Sequence, residues 1–179
     1  VSVLELPYIF GAQKGRKPVW VFLIEMLLKM KGAILYPKGG TTMVTVRQVG
    51  QAFAGALERG AGANAYPIGW FNLTWREMIS IMNKYMGVPE KKIITIPKFL
   101  FAASAKQIEK SQRTKGTEGG LDMAKFVDMQ TSNLFIDRSE ACVPLGVTDD
   151  DIDAAIGESV LLSMEVLEKK AKVIDMKGE

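Results

Sequence analysis

Apolar positions along the chain fall into stretches with helical spacing, separated by short apolar runs and polar or glycine-rich breaks. The opening run Val1-Ser2-Val3-Leu4-Glu5-Leu6 reads as a strand. Residues 11–17 form a polar loop, and Pro18 fits the first turn of a helix, where its missing N–H costs nothing. Val19, Phe22, Leu23, Met26, Leu27 and Met30 continue that helix, and Gly32 fits a left-handed C-terminal cap. Residues 33–36 and 43–46 read as short strands around the turn Pro37-Lys38-Gly39-Gly40. Residues 47–59 read as a helix with Val49, Phe53, Ala56 and Leu57 on one face, stopped at Gly60.

Residues 65–69 predict a strand at a sheet edge, because Pro67 cannot donate to a ladder. Thr74-Trp75-Arg76-Glu77 is a capping box, followed by the apolar stripe Met78, Ile81, Met82 and Tyr85 and the stop Gly87. Residues 92–96 read as a strand closed by Pro97, and residues 99–109 as a helix. Residues 110–120 are polar and glycine-rich, which predicts a loop. A helix over 121–129, a short strand over 134–136 and a long terminal helix complete the pattern. Asp149, Asp150 and Asp151 stand at the start of that last helix, with Lys169, Lys170 and Lys172 near its end, both as the helix dipole prefers. Helices alternating with short strands predict an α/β or mixed α+β fold in one domain.

Composition narrows the chemistry. The chain has 179 residues, long enough for one ordinary core. It has no histidine, so Ser-His-Asp and Cys-His machinery and histidine metal sites are excluded from this chain. One cysteine excludes an internal disulfide and a cysteine-rich zinc cluster. A net charge of +3 with interspersed signs gives no case for nucleic acid. No run reaches the roughly 18 apolar residues of a membrane span, and the expected location is cytoplasmic. The chain starts at Val1, directly on a strand, which reads as a cut from something longer. A processed start would look the same.

Several features admit two readings. Gly60-Ala61-Gly62-Ala63-Asn64-Ala65 superficially resembles a dinucleotide loop, but a helix precedes it and a strand follows, so a C-cap and turn fits better. Lys14, Arg16, Lys17, Lys38 and Arg47 lie on or beside loops near helix starts, where they form either an anion grip or a solvated surface. The three aspartates are better explained by capping than by a metal. Cys142 reads as a buried structural thiol. Trp20, Trp70 and Trp75 read as core, with Trp70 and Phe71 as an alternative pocket mouth.

Four segments together resemble the carboxy-terminal half of an extended short-chain dehydrogenase/reductase, the NAD(P)-dependent epimerase/dehydratase family. Leu4-Glu5-Leu6-Pro7-Tyr8-Ile9-Phe10-Gly11 resembles that family's sixth strand. Gly39-Gly40 through Val46-Arg47-Gln48-Val49-Gly50-Gln51-Ala52 resembles the approach to its following helix. Tyr66-Pro67-Ile68-Gly69 through Leu73-Thr74-Trp75-Arg76-Glu77-Met78 resembles its strand and threonine-capped helix. Phe135-Ile136-Asp137-Arg138-Ser139 with Leu145-Gly146 resembles the run before its last helix. The resemblance spans about residues 1–168.

The resemblance implies that residues 1–11 are the last strands of a Rossmann portion and residues 12–179 the substrate-binding portion, with the glycine-rich cofactor half absent. It implies NAD or NADP in the parent protein, with Pro7, Tyr8 and Ile9 beside the nicotinamide. It implies a small-molecule substrate, a nucleotide sugar in that family's manner, with Arg16, Trp20 and Arg47 at the substrate. Two family positions differ here: Thr41 stands where an arginine often meets the phosphates, and Gln48 where an aspartate is usual. The family's catalytic tyrosine and lysine stand four residues apart, and none of Tyr8, Tyr36, Tyr66 and Tyr85 has a lysine at that spacing. The chain is therefore expected to be inactive alone. The implied partners are the missing Rossmann half and a second copy in a homodimer. The alternative is a non-catalytic relative that senses a nucleotide or binds a protein.

Overall fold

The computed structural model of the protein describes residues 1–12, 15–60, 62, 64–114 and 122–170, with residues 108–114 described by backbone alone. Lys14, Ala61, Ala63, the stretch 115–121 and Lys172, all named above, lie outside the described residues.

The amino-terminal segment makes two strands rather than one: β1 (Val3–Glu5) and β2 (Tyr8–Phe10). Pro7 falls between them, where a residue without an N–H interrupts the ladder. Helix α1 (Val21–Lys29) starts one turn later than expected, because Pro18 sits in a preceding turn whose carbonyl accepts the Val21 N–H at 3.3 Å. Strands β3 (Ala33–Pro37) and β4 (Gly40–Thr45) follow, and every residue of β4 is buried. Helix α2 (Val46–Arg59) opens on a capping box that the sequence reading missed: Thr45 and Gln48 each bond the other's backbone N–H.

Strand β5 (Ala65–Pro67) is present, and β6 (Phe71–Thr74) is a strand the sequence did not announce. Helix α3 (Trp75–Tyr85) carries the expected box, with Thr74 and Glu77 bonded reciprocally. The Thr74 hydroxyl also donates to the Glu77 carboxylate at 2.7 Å, and that bond with the one from the Thr74 N–H holds the carboxyl below its usual range. Strand β7 (Lys92–Ile96) agrees with expectation, and α4 (Lys98–Thr114) runs on through residues expected to be loop. Helix α5 (Met123–Gln130), β8 (Asn133–Leu134) and α6 (Ile152–Leu167) complete the chain. Of the three aspartates only Asp151 caps α6, accepting from the Ala154 N–H at 3.0 Å.

The strands form a mixed set of small sheets. β1 pairs β5 in parallel, and β3 pairs β7 in parallel. β4 is the hub of the third sheet: antiparallel β6 lies on one edge, while parallel β2 and β8 share the other at different heights. Side-chain alternation then splits the interior in two. Phe10 and Met43 face a large cluster with Ile24, Leu27, Met78, Met82, Ile156 and Trp75, drawn from α1, α3 and α6. Ile9 and Val44 face a smaller cluster with Ala52, Ala56, Cys142 and Leu145, drawn from α2 and the turns over 141–147.

Helix α2 keeps Val49 and Ala56 of its apolar face against the smaller cluster but turns Phe53 and Leu57 outward. Gln48, Ala52, Gly55 and Ala56 are buried, whereas Phe53 is 49% exposed and Leu57 88%. Small residues lie on the inner face because the 141–147 turns approach the helix closely at Gly55.

Candidate functional site

Two concavities lie near the carboxyl ends of β2 and β1. The larger, about 700 Å³, is walled by the segment from Arg16 to Phe22 and closed by Ile9, Val46 and Leu162. Trp20 is fixed there by its own packing. Its indole N–H donates to the Ile9 carbonyl at 2.9 Å, and its ring stacks on Phe10 at 4.3 Å. Pro18, Val19, Val21, Phe22, Val46 and Leu162 make the walls largely apolar. Among the described residues the polar side chains are Arg16, Lys17 and Glu25, and Glu25 is paired with Lys29 at 2.6 Å. Among the described residues, an arginine and an already paired carboxylate equip the cleft to bind rather than to transfer protons.

The smaller concavity lies beyond the carboxyl end of β1, where open α/β sheets commonly take ligands. It consists of two adjoining clefts that share Phe135 and Ile136. One, of about 370 Å³, is bordered by Glu5, Leu6, Pro7, Thr41 and Thr42, and opens where β2 and β8 part along the edge of β4. The other, of about 320 Å³, is bordered by Trp70, Asn72, Asp137 and Arg138. Thr42 joins the two sides: its hydroxyl donates to Asn72 Oδ1 and accepts the Ile136 N–H at 2.7 Å. Arg138 lies 5.0 Å over the Trp70 ring, and the Trp70 N–H donates to Asp149 at 2.8 Å. The Asp137 carboxyl is held below its usual range, first by the Ser139 N–H and then by neighbours including Arg138.

The structure brings some expected site residues together and separates others. Ile9, Arg16 and Trp20 line the larger cleft. Pro7 lines the strand-end crevice instead. Tyr8 turns into the aromatic interior, 5.3 Å from Trp20 and 5.5 Å from Trp75 between ring centres, with its hydroxyl accepting from Gln130 at 3.3 Å. Arg47 stands apart from both concavities and pairs with Asp150 at 3.5 Å. The Thr45 hydroxyl also donates to Asp150, and that bond is the main reason its carboxyl sits below the usual range. Lys38 is exposed, and Thr41 is buried in β4 at the crevice wall. Gln48, at the family's aspartate position, is buried; beyond capping α2 it donates to the Thr148 carbonyl at 3.0 Å.

Two lesser readings agree with the structure. Cys142 is buried, its thiol pKa is pushed up by burial, and it accepts the Gly69 N–H at 3.3 Å, as a structural thiol does. Trp70 does line a cleft mouth, while Phe71 packs against the large core. Among the described residues no three His, Cys, Asp or Glu side chains gather as a metal group. No described helix is long and apolar enough to cross a membrane. Phe135 and Asn72 were missed as crevice residues, and so were Val46 and Leu162 in the larger cleft, because distant elements bring them there.

The fold and its clefts define a mixed α/β protein with parallel strand pairs and six helices among the described residues. No protein-family model matches the chain, and no curated protein matches it. It is similar in fold to the solved structure of gox2253, with a TM-score of 0.61 at 19% sequence identity. That likeness covers 96% of this chain and 50% of the other, so the chain spans about half the length of that protein.

Proposed function

We propose that this chain is the substrate-binding carboxy-terminal region of an NAD(P)-dependent oxidoreductase resembling the nucleotide-sugar epimerases and dehydratases. It is inactive without a cofactor-binding Rossmann half. The observation that carries this reading is an unfilled docking surface. Strand β1 has one ladder neighbour, β5, among the described residues, and Val3 on it is 52% exposed. Helix α2 presents Phe53 and Leu57 outward at positions i and i+4, an apolar ridge on one face. A second body that adds a strand to β1 and covers this ridge removes both liabilities. The likeness to half of a longer chain supports the same reading.

The residues of this chain do not form a cradle for NAD or NADP by themselves. Tyr8 is spent in the aromatic interior and Ile9 borders the other cleft. Pro7, at the strand-end crevice, remains the residue of that trio beside which a nicotinamide held by the other half would lie. The described residues therefore supply substrate walls, and the missing half supplies cofactor and acid–base chemistry. A cytoplasmic location and a homodimer complete the reading.

The isolated 179-residue chain is expected to self-associate with rising concentration, as measured by light scattering on a sizing column. Replacing Phe53 and Leu57 together by lysine should reduce that association. A wild-type chain that stays monodisperse as its concentration rises would overturn the unfilled-surface argument.

A further inference from the structure

We infer that the larger cleft takes a small molecule with an apolar body and a single anionic group, either carboxylate or phosphate. This narrows the substrate class of the proposed oxidoreductase, and to that extent rests on the reading above. The cleft itself carries the argument. Its volume of about 700 Å³ suits a small ligand. A sugar carries hydroxyls on every side, and a site built to select it must meet them with donors and acceptors. Among the described residues this cleft offers few. Val19, Phe22, Val46 and Leu162 present carbon, and Val19 and Phe22 are 83% and 75% exposed, so apolar surface there awaits cover.

The polar groups in the cleft are nearly all committed. The indole N–H of Trp20 is held by Ile9, which leaves the ring as a flat apolar wall. Glu25 is held by Lys29. Arg16 is different: among the described residues its guanidinium has no hydrogen bond and no ion pair. An unpaired guanidinium at the rim of a carbon-walled cleft selects an anion, because its planar fork matches two oxygens of a carboxylate or phosphate. The apolar body supplies area against the walls, and the anion fixes which end stays at the rim.

The test is calorimetric titration of the full gene product with decanoate, decyl phosphate, decanol and UDP-glucose, with NADPH binding measured on the same preparation. Decanoate and decyl phosphate should saturate one site, and the tighter of the two identifies the head group. Decanol should bind at least tenfold more weakly. Arg16→Met, which keeps the apolar stem, should weaken both anions on the order of tenfold and leave decanol unchanged. Arg16→Lys should restore part of the loss. Val19→Asp should abolish anion binding without touching the arginine. UDP-glucose binding at this site in place of decanoate, or anion binding indifferent to Arg16→Met, would overturn the inference. Loss of NADPH binding in a sample that still takes decanoate would instead count against the oxidoreductase reading and leave the cleft's ligand standing.

Discussion

Replacing Trp75 by alanine is expected to cost about 3–5 kcal/mol of folding stability. Trp75 is the largest side chain in the main core and is 2% exposed. It starts α3, its ring lies 5.5 Å from Tyr8 and 6.1 Å from Tyr36, and its N–H donates to the Gln130 carbonyl at 2.7 Å. The deletion opens a cavity among α1, α3 and β4 and leaves the buried Gln130 carbonyl without its partner. That bond is also the tie between α3 and the end of α5, so loosening should spread to β8 and the crevice. For a chain of this size the loss corresponds to a fall in Tm of roughly 10 °C. Trp75→Phe fills most of the volume and isolates the hydrogen bond, so its cost should be about 1–3 kcal/mol. Thermal melts of the two variants beside wild type check the order, and a Trp75→Ala protein that melts like wild type would show the core is not centred there.

The second prediction sets two glycines of α2 against each other. Alanine exceeds glycine in helix propensity by about 1 kcal/mol, so propensity alone says both Gly50→Ala and Gly55→Ala stabilise. The surroundings differ. A Cβ on Gly50 meets nothing within 4 Å, whereas a Cβ on Gly55 would fall 1.9 Å from the Leu145 carbonyl oxygen, a backbone atom that cannot swing away. Either α2 or the 141–147 turns must then shift by more than an ångström, through a cluster that includes Ala52, Cys142 and Val44. Overpacking of this kind costs about 1–3 kcal/mol and outweighs the propensity gain. Gly50→Ala should raise the melting temperature and Gly55→Ala should lower it. Equal shifts of the same sign would mean that α2 does not pack against Leu145 as described.

The contrast between these glycines shows where the sequence is legible. The Thr74-Trp75-Arg76-Glu77 box could be read directly, because its bonds join residues three apart and nothing distant can rearrange them. The inward face of α2 could not. Hydrophobicity favours Phe53 and Leu57 for burial, but the face is decided by how near a turn 90 residues later comes, and near approach selects Gly55 and Ala52. Strand β6 was hidden for another reason: Asn72 breaks its apolar run, and its last residue, Thr74, doubles as the cap of α3.

The site was partly legible on the same grounds. Arg16 and Trp20 share a cleft because one short segment carries both, so sequence proximity sufficed. Tyr8 and Pro7 are neighbours that part company, because consecutive residues of an extended chain point to opposite sides. Val46 and Leu162 join the cleft from α2 and α6, and no local signal marks either one. Arg47 looked like an anion grip by its place at a helix start, but Asp150 from the far end of the chain occupies it.

The central claim is that this chain gives a substrate wall to a cofactor half it does not itself contain. The most direct test is a parallel calorimetric titration of NADH and NADPH into the full gene product and into the isolated 179-residue chain. The account predicts one binding site for one of the two cofactors on the full product and no binding to the isolated chain. Saturable NAD(P)H binding to the isolated chain, or a full gene product that binds neither cofactor, would contradict it.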